Sequence, residues 1–302
     1  MIELRVMTEG DVWLGMRLKT QAGWNQTPAD WRRFLQLQPD GCFVARWDGQ
    51  DVGTVTTCIF GSIGWIAMVL VDHEYRHRGI GTRLVQHALQ FLDQRCIPTA
   101  RLDATALGRP VYEHLGFVAE YELMRMEGLA TPVARASPHA PAGRVRPGAA
   151  DSDGPGLAAC ALDRGGVEHL ETFVRWDQQA TGTLRARLLS RLISEAASRS
   201  YLAGGPVDPG GYVISRCGSR AAQLGPAVAY SPSAGRALLD RAAADWAGQR
   251  IYVDVPSDHR EAVRWAEDHG LSCQRSFTRM VRGRPIQDAP HLIWASSGPE
   301  KG

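Results

Sequence analysis

The chain of 302 residues has no apolar run that approaches membrane-spanning length, so a helical membrane protein is not expected. Its start, Met1-Ile2-Glu3-Leu4-Arg5, lacks the basic-then-apolar pattern of an export signal, and the expected location is the cytoplasm. The six cysteines (42, 58, 96, 160, 217 and 273) include no C-x-x-C pair. That argues against a metal cluster and against a disulfide framework, and the thiols are expected to be reduced and metal-free. An excess of one charge is missing too. The net charge is +2 with acids and bases mixed, so neither a nucleic acid nor a membrane surface is expected as a partner. What remains is an ordinary globular composition, 44% hydrophobic and 22% charged, in a chain long enough for two cores.

The informative stretch runs from Met68 to Leu84. Val69, Leu70 and Val71 close an apolar, β-branched run that reads as a buried strand. A polar turn follows with Arg76, His77 and Arg78, then Gly79-Ile80-Gly81-Thr82. Beyond it Leu84, Val85, Ala88, Leu89 and Leu92 recur at helical spacing and form one apolar face. A strand feeding a glycine loop that opens a helix aims backbone N–H groups and the positive end of the helix dipole at one spot, which suits a phosphate. Leu84 breaks the six-residue G-x-G-x-x-G dinucleotide pattern, and no Gly-Lys-Ser/Thr completes a Walker loop.

The spacing Arg76-x-x-Gly79-x-Gly81 after Val69-Leu70-Val71 resembles the acyl-CoA pyrophosphate loop of the GNAT (Gcn5-related N-acetyltransferase) superfamily. Element order extends the likeness. Ile2, Leu4 and Val6 alternate as a strand. One helix carries Val12, Leu14, Met16 and Leu18. A second begins at Thr27-Pro28-Ala29-Asp30 and presents Trp31, Phe34 and Leu35. Strands over 42–47 and 52–60, joined by Asp48-Gly49-Gln50, read as a hairpin. Strands at 64–71 and 99–103 flank the glycine-loop helix, and a short helix ending at Gly116 precedes a strand from Phe117 to Met126. This is an α+β order with a mixed, largely antiparallel central sheet flanked by helices, and it is that of the GNAT fold. Tyr112-x-x-x-Gly116-Phe117 is similar to the superfamily's second signature, in which the tyrosine protonates the leaving thiolate.

Between 128 and 156, Pro132, Pro138, Pro141, Pro147 and Pro155 are interleaved with Ala, Gly and Ser, a linker composition. The expected organisation is a GNAT domain over 1–127, a linker over 128–142 and a second domain over 143–302. In the second half Leu184, Leu188, Leu189, Leu192 and Ile193 form a helix stripe, and 251–281 repeats the strand–helix–Gly–strand order of 99–126. That half has Ala266 in place of the tyrosine, and Ser231-Pro232-Ser233-Ala234-Gly235-Arg236 in place of the glycine loop. It resembles a degenerate GNAT repeat. The pairing of Ala22-Gly23-Trp24-Asn25-Gln26-Thr27 with Gly298-Pro299-Glu300-Lys301-Gly302 is similar to a bacterial group of two-domain GNAT proteins.

The resemblance implies acetyl-CoA as acyl donor, held by Val69, Leu70, Val71 and the loop from Arg76 through Thr82, with Tyr112 as catalytic acid. It implies an acceptor near Trp24 and Asn25, with Asp103 at the end of a neighbouring strand. Asp103, Asp72, His73 and Glu74 are the titratable candidates for a base. Thr105 stands where many members carry an asparagine. The expected reaction is transfer of an acetyl group to a primary amine of a small molecule. The alternative expectation is a non-catalytic acyl-CoA-binding or assembly protein.

Overall fold

In the computed structural model, which describes residues 1–131, 162–195, 199–204 and 210–302, the first half follows the expected order. It comprises β1 (Ile2–Val6), α1 (Val12–Gln21), α2 (Pro28–Leu37), β2 (Cys42–Trp47), β3 (Gln50–Phe60), β4 (Ile63–Val71), α3 (Ile80–Asp93), β5 (Thr99–Ala104), α4 (Arg109–His114) and β6 (Val118–Leu129). The second half repeats much of it. It comprises β7 (Leu162–Arg164), α5 (Leu170–Thr181), α6 (Ala186–Glu195), β8 (Ser200–Ala203), β9 (Gly211–Arg216), β10 (Ala222–Ala229), α7 (Pro232–Ala244), β11 (Arg250–Pro256), α8 (Arg260–Asp268), β12 (Ser272–Gly283) and β13 (Ile293–Ala295). The proline-rich stretch from Pro132 to Pro155 and Cys160 lie outside the described residues.

Local chemistry explains the element ends. At α2 the Asp30 carboxylate accepts from both the backbone N–H and the hydroxyl of Thr27, each at 2.8 Å, and Pro28 occupies the first turn. Thr27→Ala removes a hydrogen bond to this buried carboxylate. It is expected to cost about 1 kcal/mol, read as a lower urea midpoint at unchanged slope. Leu188, Leu189, Leu192 and Ile193 form the buried stripe of α6, whereas Leu184 precedes the helix and is exposed. The strand expected to end at Met126 runs on to Leu129, because residues 250–256 of β11 pair along its whole upper half.

The two halves do not build two sheets. Among the described residues the strand order is β1-β2-β3-β4-β5-β12-β6-β11-β10-β9-β8-β7, with β13 added beside β10. β12, from the second half, lies between β5 and β6 of the first, pairing Thr278 with Ala104 and Gly283 with Thr99 on one side. On its other side it pairs with β6, which in turn pairs with β11. The halves have exchanged their last strands. One core joins them on one face, where Trp31 and Phe34 of α2 share a cluster with Phe173, Trp176 and Leu192. The opposite face is covered by α3 and α4 over the first half and by α7 and α8 over the second.

Candidate active site

The site starts at a divergence of strands. β4 and β5 run parallel but pair only from Ile63–Trp65 against Thr99–Arg101. Beyond Trp65 they separate and leave a wedge. In the same stretch β4 carries a bulge against β3, between the pairs Thr54–Leu70 and Thr56–Ala67, and Met68 adopts a φ of 50°. A bulge takes a residue out of the ladder and turns the neighbouring backbone groups aside; here Met68 O accepts from Thr54 Oγ1 of β3 at 2.9 Å. Spacing alone cannot show a bulge, and Met68 was not among the expected site residues.

At the end of β4, Asp72 accepts from Glu74 N–H at 3.2 Å and so closes the turn that leads into the glycine loop. Burial alone would raise the Asp72 carboxyl, but the bonds from Glu74, Gln21 and Arg17 outweigh it and hold it below the usual range. Asp72, expected as a possible base, is thus a tied-down turn anchor, while His73 and Glu74 are exposed beside it. Arg76 donates to Val71 O at 3.3 Å. Arg78 lies over the rings of Trp47 and Tyr75, at 5.4 and 5.3 Å. Gly79 has a φ of 76° and caps α3 from the left-handed region, where a side chain is strained. A Cβ on Gly79 would meet nothing within 4 Å, and one on Gly81 only Val71 at 3.8 Å. No protein atom therefore demands glycine at position 81, and the space its missing side chain leaves lies at the start of α3, where N–H groups point outward. The loop fits a pyrophosphate.

Tyr112 projects from α4 into the core beneath α3 and is 9% exposed. Its ring meets Phe117 edge-on at 6.0 Å, and a Cβ on Gly108 would come within 2.9 Å of it, so the glycine makes room for the ring. Among the described residues its hydroxyl has no hydrogen-bond partner. Burial pushes its pKa above the ordinary value, which keeps the hydroxyl protonated and able to donate. The Thr105 hydroxyl accepts from Gly108 N–H at 3.3 Å and so serves the turn into α4.

Two residues expected near the acceptor, Asn25 and Asp103, bond to groups of the second half. Asn25 is buried and its side chain is spent on the second half: Oδ1 accepts from Arg220 and Ala221 N–H at 2.9 and 3.0 Å, and Nδ2 donates to Ala221 O at 3.0 Å. It clasps the β9–β10 turn. Asp103 is held by both Nε and Nη2 of Arg279 on β12, at 2.7 and 2.9 Å, with both side chains nearly fully buried. Paired in this way, Asp103 pins the exchanged strand β12 to β5. Trp24 is half-buried against the core shared by the two halves. The partners of Asn25 and Asp103 lie 176–196 residues away in the chain, beyond any local pattern.

The second half has the same wedge, filled. β10 and β11 pair in parallel only from Ala222–Leu224 against Ile251–Val253. Into the gap comes β13, antiparallel to β10, and Ser296 N–H then donates to Asp254 O of β11 at 2.7 Å. Where a loop would cradle phosphate, a Cβ on Gly235 would fall 2.0 Å from the Trp294 ring. The chain's own strand and indole occupy that place.

Comparison with known proteins agrees with this geometry. A model described as "Acetyltransferase (GNAT) family" matches residues 15–117, and one described as "Acetyltransferase (GNAT) domain" matches residues 173–295. The chain is 26% identical over 246 residues to the uncharacterized N-acetyltransferase YitH of Bacillus subtilis, covering 81% of this chain and 78% of that protein. It is 33% identical over 105 residues to N-alpha-acetyltransferase 30 of Xenopus laevis, covering 32% of this chain and 38% of that one. A crystal structure of a candidate acetyltransferase from Pyrococcus horikoshii superposes with a TM-score of 0.78 at 22% identity, covering all of this chain and 96% of that chain. The chain belongs to the GNAT superfamily of acetyltransferases and carries two GNAT units in tandem.

Proposed function

We propose that the protein transfers an acetyl group from acetyl-CoA to a primary amine of a small molecule, at the first unit alone. The carrying observation is the contrast between two equivalent wedges, one open beside a glycine cradle and the other filled by β13 and Trp294. Bound in the open wedge, acetyl-CoA supplies an activated acyl group with a thiolate as leaving group. Val69, Leu70 and Val71 offer strand backbone to its arm, and residues 76–82 offer N–H groups and arginines to its phosphates. Tyr112 holds the proton that the departing sulfur takes up. Asn25 ties the loop between α1 and α2 to the turn over 218–221, and the acceptor in this reading is a small molecule.

Titration calorimetry of acetyl-CoA into the full chain is expected to give one site per chain. A stoichiometry of two would overturn the reading of the second wedge. Free-thiol release against a panel of amines tests the transfer itself, and binding without any release would leave only an acyl-CoA-binding protein.

A further inference from the structure

A cavity of about 350 Å³ lies on the seam between the two units, away from the glycine loop. Its wall on the first unit is the last turn of α2, with Gln36 and Leu37. The second unit supplies the rest: Leu170 at the start of α5, and Arg187, Ser190 and Arg191 on α6. The volume falls within the range of about 300–1,000 Å³ usual for small-ligand sites, and a boundary between domains is a common place for one.

The lining has two chemical parts. Leu37 is buried in the core shared by the units and Leu170 packs against that core, so one part is apolar. The other is cationic. Arg187 and Arg191 stand one turn apart on α6, both exposed, and among the described residues neither has a hydrogen-bond or ion-pair partner. Like charges at this spacing weaken a helix. The three bounding helices carry four carboxylates, Asp30, Glu171, Asp177 and Glu195. Asp30 and Glu195 both accept from Arg33, and Asp177 from Arg185. Glu171 is beyond ion-pair distance of either cavity arginine. Ala186, the first residue of α6, also borders the cavity, so the positive end of the helix dipole adds to the same field. The cavity therefore offers two guanidinium forks and a helix start with no anion of the chain's own to hold.

Position separates this cavity from the open wedge. A Cβ on Gly61, in the turn between β3 and β4, would meet Leu184 Cβ at 3.6 Å, just ahead of α6. The start of α6 thus lies where β4 begins, whereas the glycine loop follows the other end of that nine-residue strand. We propose that the cavity binds a small organic anion, whose phosphate or carboxylate is held by Arg187 and Arg191 and whose compact apolar body rests on Leu37 and Leu170. The site is distinct from that of acetyl transfer. Its occupant would touch α2 of the first unit and α5 and α6 of the second, and so join the units.

Three probes of similar shape test this by calorimetry on the full chain: phenyl phosphate, phenylacetate and the uncharged 2-phenylethanol. At least one anionic probe is expected to bind once per chain with a Kd of about 1 mM or tighter, and the alcohol at least about tenfold more weakly. The anion that binds better tells phosphate from carboxylate. The double variant Arg187→Gln/Arg191→Gln is expected to weaken the anionic probe at least about tenfold, with Tm unchanged or raised because a like-charge pair is gone. Gln36→Glu tests the opposite wall: it places a carboxylate across the cavity from the arginines and is expected to weaken the same probe. Gly81→Glu, which puts an anion in the glycine loop, should leave probe binding as it was. Failure of both anionic probes to bind, or equal binding of the alcohol, overturns the inference. So does unchanged affinity in the double variant or in Gln36→Glu. Loss of binding in Gly81→Glu overturns it too, by assigning the probe to the glycine loop. None of these outcomes bears on whether the first unit transfers acetyl groups.

Discussion

Tyr112→Phe is expected to lower kcat by about a hundredfold or more, the usual scale for one acid–base group, while KM for acetyl-CoA stays nearly unchanged. The structure makes this an interpretable substitution. The ring does the packing, edge-on against Phe117 and over Gly108, and phenylalanine keeps both contacts. The hydroxyl has no hydrogen-bond partner among the described residues, so its removal breaks nothing in the resting protein. A loss of rate in a variant of unchanged Tm would then report on proton donation. The pH dependence follows from the raised pKa. A tyrosine titrating above its ordinary value of about 10 stays neutral across the working range, so Tyr112 should produce no alkaline fall in kcat below that pH. A drop confined to KM would show that Tyr112 only packs.

Gly81→Glu is expected to abolish acetyl-CoA binding in calorimetry and to leave the fold intact. A side chain at 81 projects into open space beside Val71, so the protein itself has room for it. The fold should therefore tolerate the change, while a carboxylate there would occupy and repel the pyrophosphate at the start of α3. Gly81→Ala, with one methyl in that space, should weaken binding by less. Unchanged affinity in the glutamate variant would remove the loop from the binding site altogether.

The glycine loop was legible because its meaning is local: strand, turn, two glycines and helix stand in a row over residues 69–92. The same holds for the Thr27–Asp30 helix start and for the repeat of 99–126 in 251–281. The strand exchange was not legible. β6 and β12 have similar lengths and each follows a helix that ends in glycine, so each could complete either unit. What decides is tertiary, including the Arg279–Asp103 pair and the cross-strand partners of Arg125. The bonding of Asn25 and Asp103 was not legible for one reason: the partner of each lies far along the chain. The bulge at Met68 was not legible because it depends on register with a neighbouring strand.

The exchanged strands have a consequence for how the chain is made. Until β12 arrives, β5 and β6 each present an unpaired edge, and the partner of Thr99 is Gly283, far along the chain. During synthesis the first unit must therefore wait, with two open sheet edges, while most of the second is produced, a period in which such edges invite wrong pairing. Closing so long a loop before its contacts form is slow. Once closed, the arrangement couples the units, because neither can shed its terminal strand without opening the other's sheet. A ligand bound in the open wedge at about a hundred times its Kd would contribute about 2.7 kcal/mol, and the half of the chain that does not touch that ligand would share in the protection.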